Sequence, residues 1–368
     1  MTTANISSAR TLRDAGPLCI GDLCAPLPLV QGGMGVGISL AGLAAAVANE
    51  GGIGVISAAC IARTPRYAGK GLKDTQALQQ EIARARDMTR GIIGVNIMVA
   101  LREYEALALA ASMAGADIIF AGAGLPMELP ALVGPDSTTK LVPIISSAKA
   151  AALLIRAWNS KYGRYPDAFV LEGPMAGGHL GFKPEQIGDP AFQLDALIPQ
   201  VLEVLQKLEA SGGPRIPLIA AGGLYNGQDI RRCLDLGVQG VQMGTRFVAT
   251  DECDAPDTFK QAVLDALAED LLIVQSPVGM PGRALRNRFI RDVEEGERSP
   301  VKCRYNCITS CPKEKGPYCI ADALLTSLDG NAEEGLVFLG ANAWRLKERL
   351  SVPALIQELD REFEAAGA

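Results

Sequence analysis

Short apolar runs rich in β-branched residues return eight times along the chain, at 27–33, 52–58, 92–99, 117–124, 140–146, 168–173, 216–223 and 240–247. They are nearly continuous rather than alternating, which predicts parallel strands covered on both faces. Between them lie segments of helical composition at 39–50 (with Ser39 as the expected start), 74–89, 102–113, 148–159, 193–209 and 226–236. A shorter helical stretch falls at 126–133. Eight βα units in roughly 220 residues match the count that closes a (β/α)8 TIM barrel. An open doubly wound sheet draws on the same alternation. The count of eight, with glycine-rich ends after several strands, selects the barrel. Beyond it, 255–268 predicts a helix, and 276–283 holds too much proline and glycine for one. A closing helix is expected at 352–366. The expected division is a barrel over 1–290 and an appended cysteine-containing cap over 291–368, packed on it.

Composition narrows the function classes. Hydrophobic residues at 48% and charged residues at 21% describe an ordinary globular protein. A net charge of −6 argues against a general nucleic-acid surface, which needs clustered positive charge. No apolar run reaches the length of about 18 residues that a spanning helix requires. The first residues lack the apolar core of a secretory signal, so nine cysteines imply a reducing cytoplasm. In that setting thiols more often bind metal or react than pair as disulfides. The subunit count is left open.

His179 is the single histidine, and it follows a glycine pair in Gly177-Gly178-His179. The glycines let backbone approach a ligand closely, and an imidazole moves protons near neutral pH. In a barrel, chemistry gathers at the C-terminal strand ends, and phosphates favour the loops after the seventh and eighth strands. Those ends carry Gly222-Gly223 and Gln242-Met243-Gly244-Thr245. Main-chain N–H groups there, with a helix starting at Asn226, suit an anion. The first strand ends in Gln31-Gly32-Gly33-Met34-Gly35, a flat surface for a planar ring, and the third carries Asn96, an amide suited to a heterocycle. A phosphate at one side, a ring across the mouth and a histidine beside it describe a site for flavin mononucleotide (FMN). The cofactor-binding set expected is Gly33, Met34, Asn96, Glu172, Gly177, Gly178, Gly222, Gly223, Gln242, Gly244 and Thr245.

These motifs, in this order, resemble the nitronate monooxygenase family, formerly 2-nitropropane dioxygenases, which is related to flavin-dependent enoyl-ACP reductases. The likeness runs from about Leu27 to Arg286. It implies a TIM barrel with non-covalent FMN, its phosphate held by Gly177, Gly178, Gly222, Gly223, Gly244 and Thr245. It implies Met34 and Asn96 against the ring, and His179 beside flavin and substrate. Many members have an acidic residue two places before the glycine pair; Met175 stands there, so substrate identity does not carry over.

Cys303, Cys307 and Cys311 are spaced by four, the period of one helix face, and Cys319 follows after Gly316-Pro317. Four thiolates so placed are candidate ligands for a [4Fe–4S] cluster or a zinc ion; metal-free thiols are the alternative. Cys19, Cys24, Cys60, Cys233 and Cys253 show no ligand spacing and read as buried apolar residues. The expected enzyme is an FMN-dependent oxidoreductase that oxidises alkyl nitronates or similar acidic C–H substrates with O2, with His179 as acid or base. The alternative is an NAD(P)H-dependent FMN reductase of an enoyl thioester or other activated alkene. A redox sensor on the same barrel is a third class, against which the intact His179 loop argues.

Overall fold

The computed structural model describes residues 11–298, 303–311 and 316–367. Eight parallel strands run in chain order around a ring: β1 Leu29–Gln31, β2 Gly54–Ser57, β3 Ile93–Met98, β4 Ile118–Gly122, β5 Lys140–Ile145, β6 Phe169–Glu172, β7 Leu218–Ala221 and β8 Gly240–Met243. Leu29 of β1 is paired with Val241 of β8. Between β1 and β2 the ring closes through a bridge from Val30 to Ile53, flanked by hydrogen bonds of 2.9 Å from Gln31 N to Ile53 O and from Ile53 N to Leu29 O. The architecture is the (β/α)8 barrel expected from the eight runs.

The runs are continuous because both faces are buried. Val30, Val55, Phe120, Val142, Val170 and Ile219 fill the interior of the ring. Leu29, Ile56, Ile119, Leu141, Leu171 and Leu218 pack outward against the helices. Each such side chain contributes about 1.5–3 kcal/mol on full burial. The surrounding helices are α1 Ala41–Asn49, α2 Asp74–Met88, α3 Tyr104–Met113, α4 Leu129–Val133, α5 Ala148–Tyr162, α6 Leu194–Ala210, α7 Gly227–Asp235 and the single turn α8 Thr245–Val248. None of the described helices is long and apolar enough to cross a membrane.

Two sequence readings change here. Ser39 does not cap α1; its hydroxyl accepts from Met34 N at 2.8 Å, inside the loop after β1. Carboxylates from elsewhere take the helix end instead: Asp254 accepts from Leu40 N at 2.8 Å, and Glu81 from Ala41 N at 2.7 Å. Cys19 and Cys24 are not buried apolar residues but a disulfide. They face each other across an antiparallel hairpin, Leu18–Ile20 with Leu23–Ala25, and point away from the ring. The opposite face of that hairpin sends Leu18, Ile20 and Ala25 into the barrel interior and plugs its N-terminal end.

After α8 the chain forms α9 Asp257–Leu264, then an antiparallel pair, β9 Leu271–Gln275 and β10 Pro281–Leu285, followed by α10 Arg288–Glu294, α11 Ile320–Leu328 and α12 Val352–Ala365. Leu336, Leu339, Leu355, Leu359 and Phe363 from this part share one hydrophobic core with the barrel helices. Contact between α12 and α7 is so close that a Cβ on Gly227 would lie 2.2 Å from Leu359 O. Gly227 N donates to Glu362 Oε2 at 2.9 Å across the same contact.

Candidate active site

On β3, β6 and β8 the inward side continues past the apolar interior and becomes polar at the C-terminal end. Val170 is inward, so Glu172, two residues on, is inward at the top of β6. By the same alternation Gly94 abuts the Phe120 ring inside the barrel and Asn96 stands above it, and Gly240 abuts Leu18 with Gln242 above. Asn96, Glu172 and Gln242 thus form the floor of a cavity of about 290 Å3.

Parts of its wall are glycine loops in which a side chain has no room. A Cβ on Gly33 would lie 2.3 Å from Asn96 Cβ, so glycine there is what lets Asn96 reach the floor. Gly222 has φ of +95°, and a Cβ would stand 2.7 Å from Gly173 O. Only glycine satisfies both demands. Met34 packs beside Gly244 at the start of α8. His179, Gly33, Met34, Asn96, Glu172, Gly177, Gly178, Gly222, Gly223, Gln242, Gly244 and Thr245 all border this one cavity. Met175 packs against Gly223.

His179 is held by a part of the chain that carries no histidine signal. Gly178–His179 adds as a short third strand to β10, with His179 opposite Gly282. Its Nε2 lies 2.7 Å from Ser276 Oγ, and its ring meets Phe338 edge-on at 5.1 Å. Arg283, buried in β10, donates to Pro174 O and Ala176 O, each at 2.7 Å, and so shapes the loop that leads to the glycine pair. Burial pushes the His179 imidazole down to about 4, which keeps it neutral at pH 7. The same cause pushes the Glu172 carboxyl up to about 7.

The C-terminal part also crosses the mouth. Gly340 N donates to Thr245 Oγ1 at 3.0 Å, Asn342 Nδ2 to Gly223 O at 2.6 Å and Ala341 N to Met175 O at 3.0 Å. A Cβ on Gly177 would lie 2.5 Å from the Leu339 carbonyl carbon. Ser276, Phe338 and Asn342 were not singled out in the sequence. They lie far from every motif, and only the fold brings them in.

The four C-terminal cysteines behave differently from a helix face. Residues 303–311 contain no helix, so their spacing by four has nothing to act on. Among the described residues no three His, Cys, Asp or Glu side chains are gathered as a metal ion would need. Cys307 instead borders the cavity, as Cys60 does.

This arrangement fits a flavin phosphate: crowded glycine loops at one side, amides and a carboxyl beneath, and an imidazole at the edge. Comparisons with known proteins identify the family. A curated relative, a probable nitronate monooxygenase of Staphylococcus aureus strain Newman, is 29% identical over 304 residues, covering 73% of this chain and 78% of its own. A (3aS,4S,5R,7aS)-5-hydroxy-7a-methyl-1-oxo-octahydro-1H-indene-4-carboxyl-CoA dehydrogenase of Mycobacterium tuberculosis is 28% identical over 272 residues, covering 74% of this chain and 66% of its own. Among solved structures, FabK from Thermotoga maritima superposes with a TM-score of 0.71 at 26% identity, covering 92% of this chain and 93% of that one. The family model described as nitronate monooxygenase matches residues 20–114 and 102–362. The chain therefore belongs to the nitronate monooxygenase family and is a flavin-dependent oxidoreductase.

Proposed function

We propose that the enzyme binds FMN in this cavity and oxidises alkyl nitronates, or similarly acidic C–H compounds, with O2 as the final acceptor. The observation that carries the reading is the convergence of His179 with the glycine loops after β1, β6, β7 and β8 around one cavity. Gly177, Gly178, Gly222, Gly223, Gly244 and Thr245 would hold the phosphate, and Met34, Asn96, Glu172 and Gln242 would face the ring. Bound flavin supplies the two-electron chemistry and its reoxidation by O2.

The protein's own part is to orient the substrate and manage its proton. With Ser276 at Nε2, Nδ1 of His179 is left for a ligand. A neutral imidazole in a desolvated pocket is a weak base towards a neutral carbon acid. It is a good hydrogen-bond donor to an anion, and an arriving nitronate would raise its proton affinity. Ser276 donating to Nε2 would place the ring proton on Nδ1, towards that anion. The Phe338 ring and the crossing at 339–342 restrict water at this edge. His179→Asn is expected to retain bound flavin and lose on the order of 10²–10⁴ in turnover. Full turnover in that variant would remove the imidazole from the mechanism.

A second reading is an NAD(P)H-dependent FMN reductase of an enoyl thioester or another activated alkene. The Mycobacterium tuberculosis relative, named for a CoA thioester substrate, favours it. Anaerobic reduction of the bound flavin separates the two. Bleaching by a nitronate alone supports the first reading, and bleaching only by NADH or NADPH supports the second. An iron–sulfur cluster at Cys303, Cys307, Cys311 and Cys319 would add a one-electron route. Iron and sulfide analysis of anaerobically purified protein tests it.

A further inference from the structure

The cavity reaches beyond the loops assigned to the flavin, and the C-terminal part of the chain helps to line that extension. In α11, Ala321, Leu324 and Leu328 recur at the spacing of one helix face. Ala321 and Leu324 border the cavity, and Leu328 meets Gly37, where a Cβ would lie 2.5 Å from Leu328 Cδ2. Polar positions of α11 are held elsewhere: Asp322 accepts from Tyr305 OH at 2.8 Å, and Ser327 Oγ donates to Leu336 O at 2.7 Å. The second of these bonds helps to seat Leu336, which also borders the cavity. From the barrel come Met98 and Leu101, at and after the end of β3, and Ile308 bridges to Leu101. Phe338 joins this apolar wall to the reacting edge, since its ring meets His179 edge-on at 5.1 Å. Charge is nearly absent. Among the described residues, Glu172 in the floor and Arg246 are the only Asp, Glu, Lys or Arg on the cavity. Arg246 stands two residues after Gly244, beside the loop proposed for the phosphate, and donates to Glu358 Oε1 at 2.8 Å and to Tyr225 OH at 3.1 Å. A charged group carried onto the apolar wall would therefore lose water and gain no counter-ion, whereas hydrocarbon would gain by leaving water.

We propose that the compound that reacts beside His179 carries an extended hydrocarbon group, a chain or fused rings, and no charge beyond that of its reacting group. This rests on the reading above for the place of the reacting group at the imidazole. What it adds is the size and polarity of the rest of the molecule, set by Leu101, Ile308, Ile320, Leu324, Leu336 and Phe338. A small nitronate such as that of nitroethane reaches the imidazole and leaves this wall in contact with water. A nitronate that ends in a carboxylate is discriminated against, because the wall has no cation to receive it. Each methylene moved from water onto the wall is worth about fourfold in affinity.

Carboxylates are inert stand-ins for nitronates, with the same planar two-oxygen anion, so binding can be read apart from turnover. Calorimetric titration of the full-length, flavin-loaded protein with butanoate, hexanoate and octanoate should show affinity rising roughly 100-fold from the first to the last. Suberate has the length of octanoate and a second carboxylate, and should bind at least about tenfold more weakly than octanoate. In flavin-loaded Leu324→Lys octanoate should lose its advantage over suberate, because the new ammonium pairs with the second carboxylate. The proposal is overturned if octanoate binds no tighter than butanoate, if suberate matches octanoate in the wild type, or if Leu324→Lys leaves their ratio unchanged. Flavin bleaching by the nitronates of nitroethane and 1-nitrooctane, followed separately, tests the reaction itself. Chain-length-dependent carboxylate binding without bleaching by either nitronate would reject the nitronate reading and keep the apolar wall. Rapid bleaching with carboxylate affinities that ignore chain length would do the reverse.

Discussion

The two ends of the barrel are built on the same eight strands and filled in opposite ways. At the N-terminal end a hairpin drives Leu18, Ile20 and Ala25 into an apolar interior of Val30, Val55 and Ile219. At the C-terminal end the next inward layer includes the polar Asn96, Glu172 and Gln242, roofed by the 338–342 crossing. The first end spends its contacts on stability. The second half-buries ionisable groups, and their proton affinities move in consequence. The difference teaches that a barrel can keep its reactive layer separate from the layer that holds it folded, as far as one strand alternation allows.

Substitutions can break that separation or sharpen it. Leu18→Ala should have the largest effect on folding, about 2–5 kcal/mol from lost burial and the cavity left behind. Flavin affinity per folded molecule should be unchanged, as read by denaturant unfolding alongside flavin titration. A matching loss of affinity would mean that the two ends are coupled.

At the other end the effect should appear as pH dependence of the flavin-free protein. Glu172, raised to about 7 from 4.5, binds its proton more tightly when folded. Its favourable contribution is therefore present below about 4.5 and lost as pH rises to about 7. His179, lowered to about 4 from 6.5, is the reverse: the unfolded chain binds the proton first, so stability falls as pH drops from 6.5 towards 4. Glu172→Gln should flatten the alkaline side, and His179→Asn the acid side, by roughly 1–3 kcal/mol each. Thermal unfolding across pH 3.5–8 measures both. Identical curves for the wild type and the two variants would show that neither group is desolvated as described.

Ser276→Ala should have the smallest effect. Loss of the hydroxyl at Nε2 removes one orienting hydrogen bond, worth about 1 kcal/mol, or several-fold in kcat. Steady-state turnover with flavin content held equal reads it out. A loss as large as that of His179→Asn would give Ser276 a direct part in proton movement.

Much of this site could be read along the chain because barrels place function at strand ends, and strand ends are local in sequence. Gly33, Asn96, Glu172, Gly222 and Gln242 each sit at or next to the terminus of an apolar run, so finding the run finds the residue. The hairpin disulfide was missed because nine cysteines taken as a group suggested reducing conditions, whereas the pairing of Cys19 with Cys24 depends only on two short strands turning back on each other. Ser39 was misread because a serine before an apolar helix is an ordinary cap, and only the folded loop offers it Met34 N instead.

What the sequence by itself determined was the repeating βα unit, the number of strands and the glycines and lone histidine at their ends, since periodicity and conformational freedom are properties of neighbours along the chain. What only the tertiary structure decided was which distant pieces complete the cavity: Ser276 at the imidazole, Phe338 against its ring, Asn342 on the Gly223 carbonyl, and Cys307 on the cavity that Cys60 also borders. Those contacts join residues from separate parts of the chain, and no local pattern encodes them. They exist because burying Leu336, Leu339 and α12 against the barrel fixes where the C-terminal part must cross.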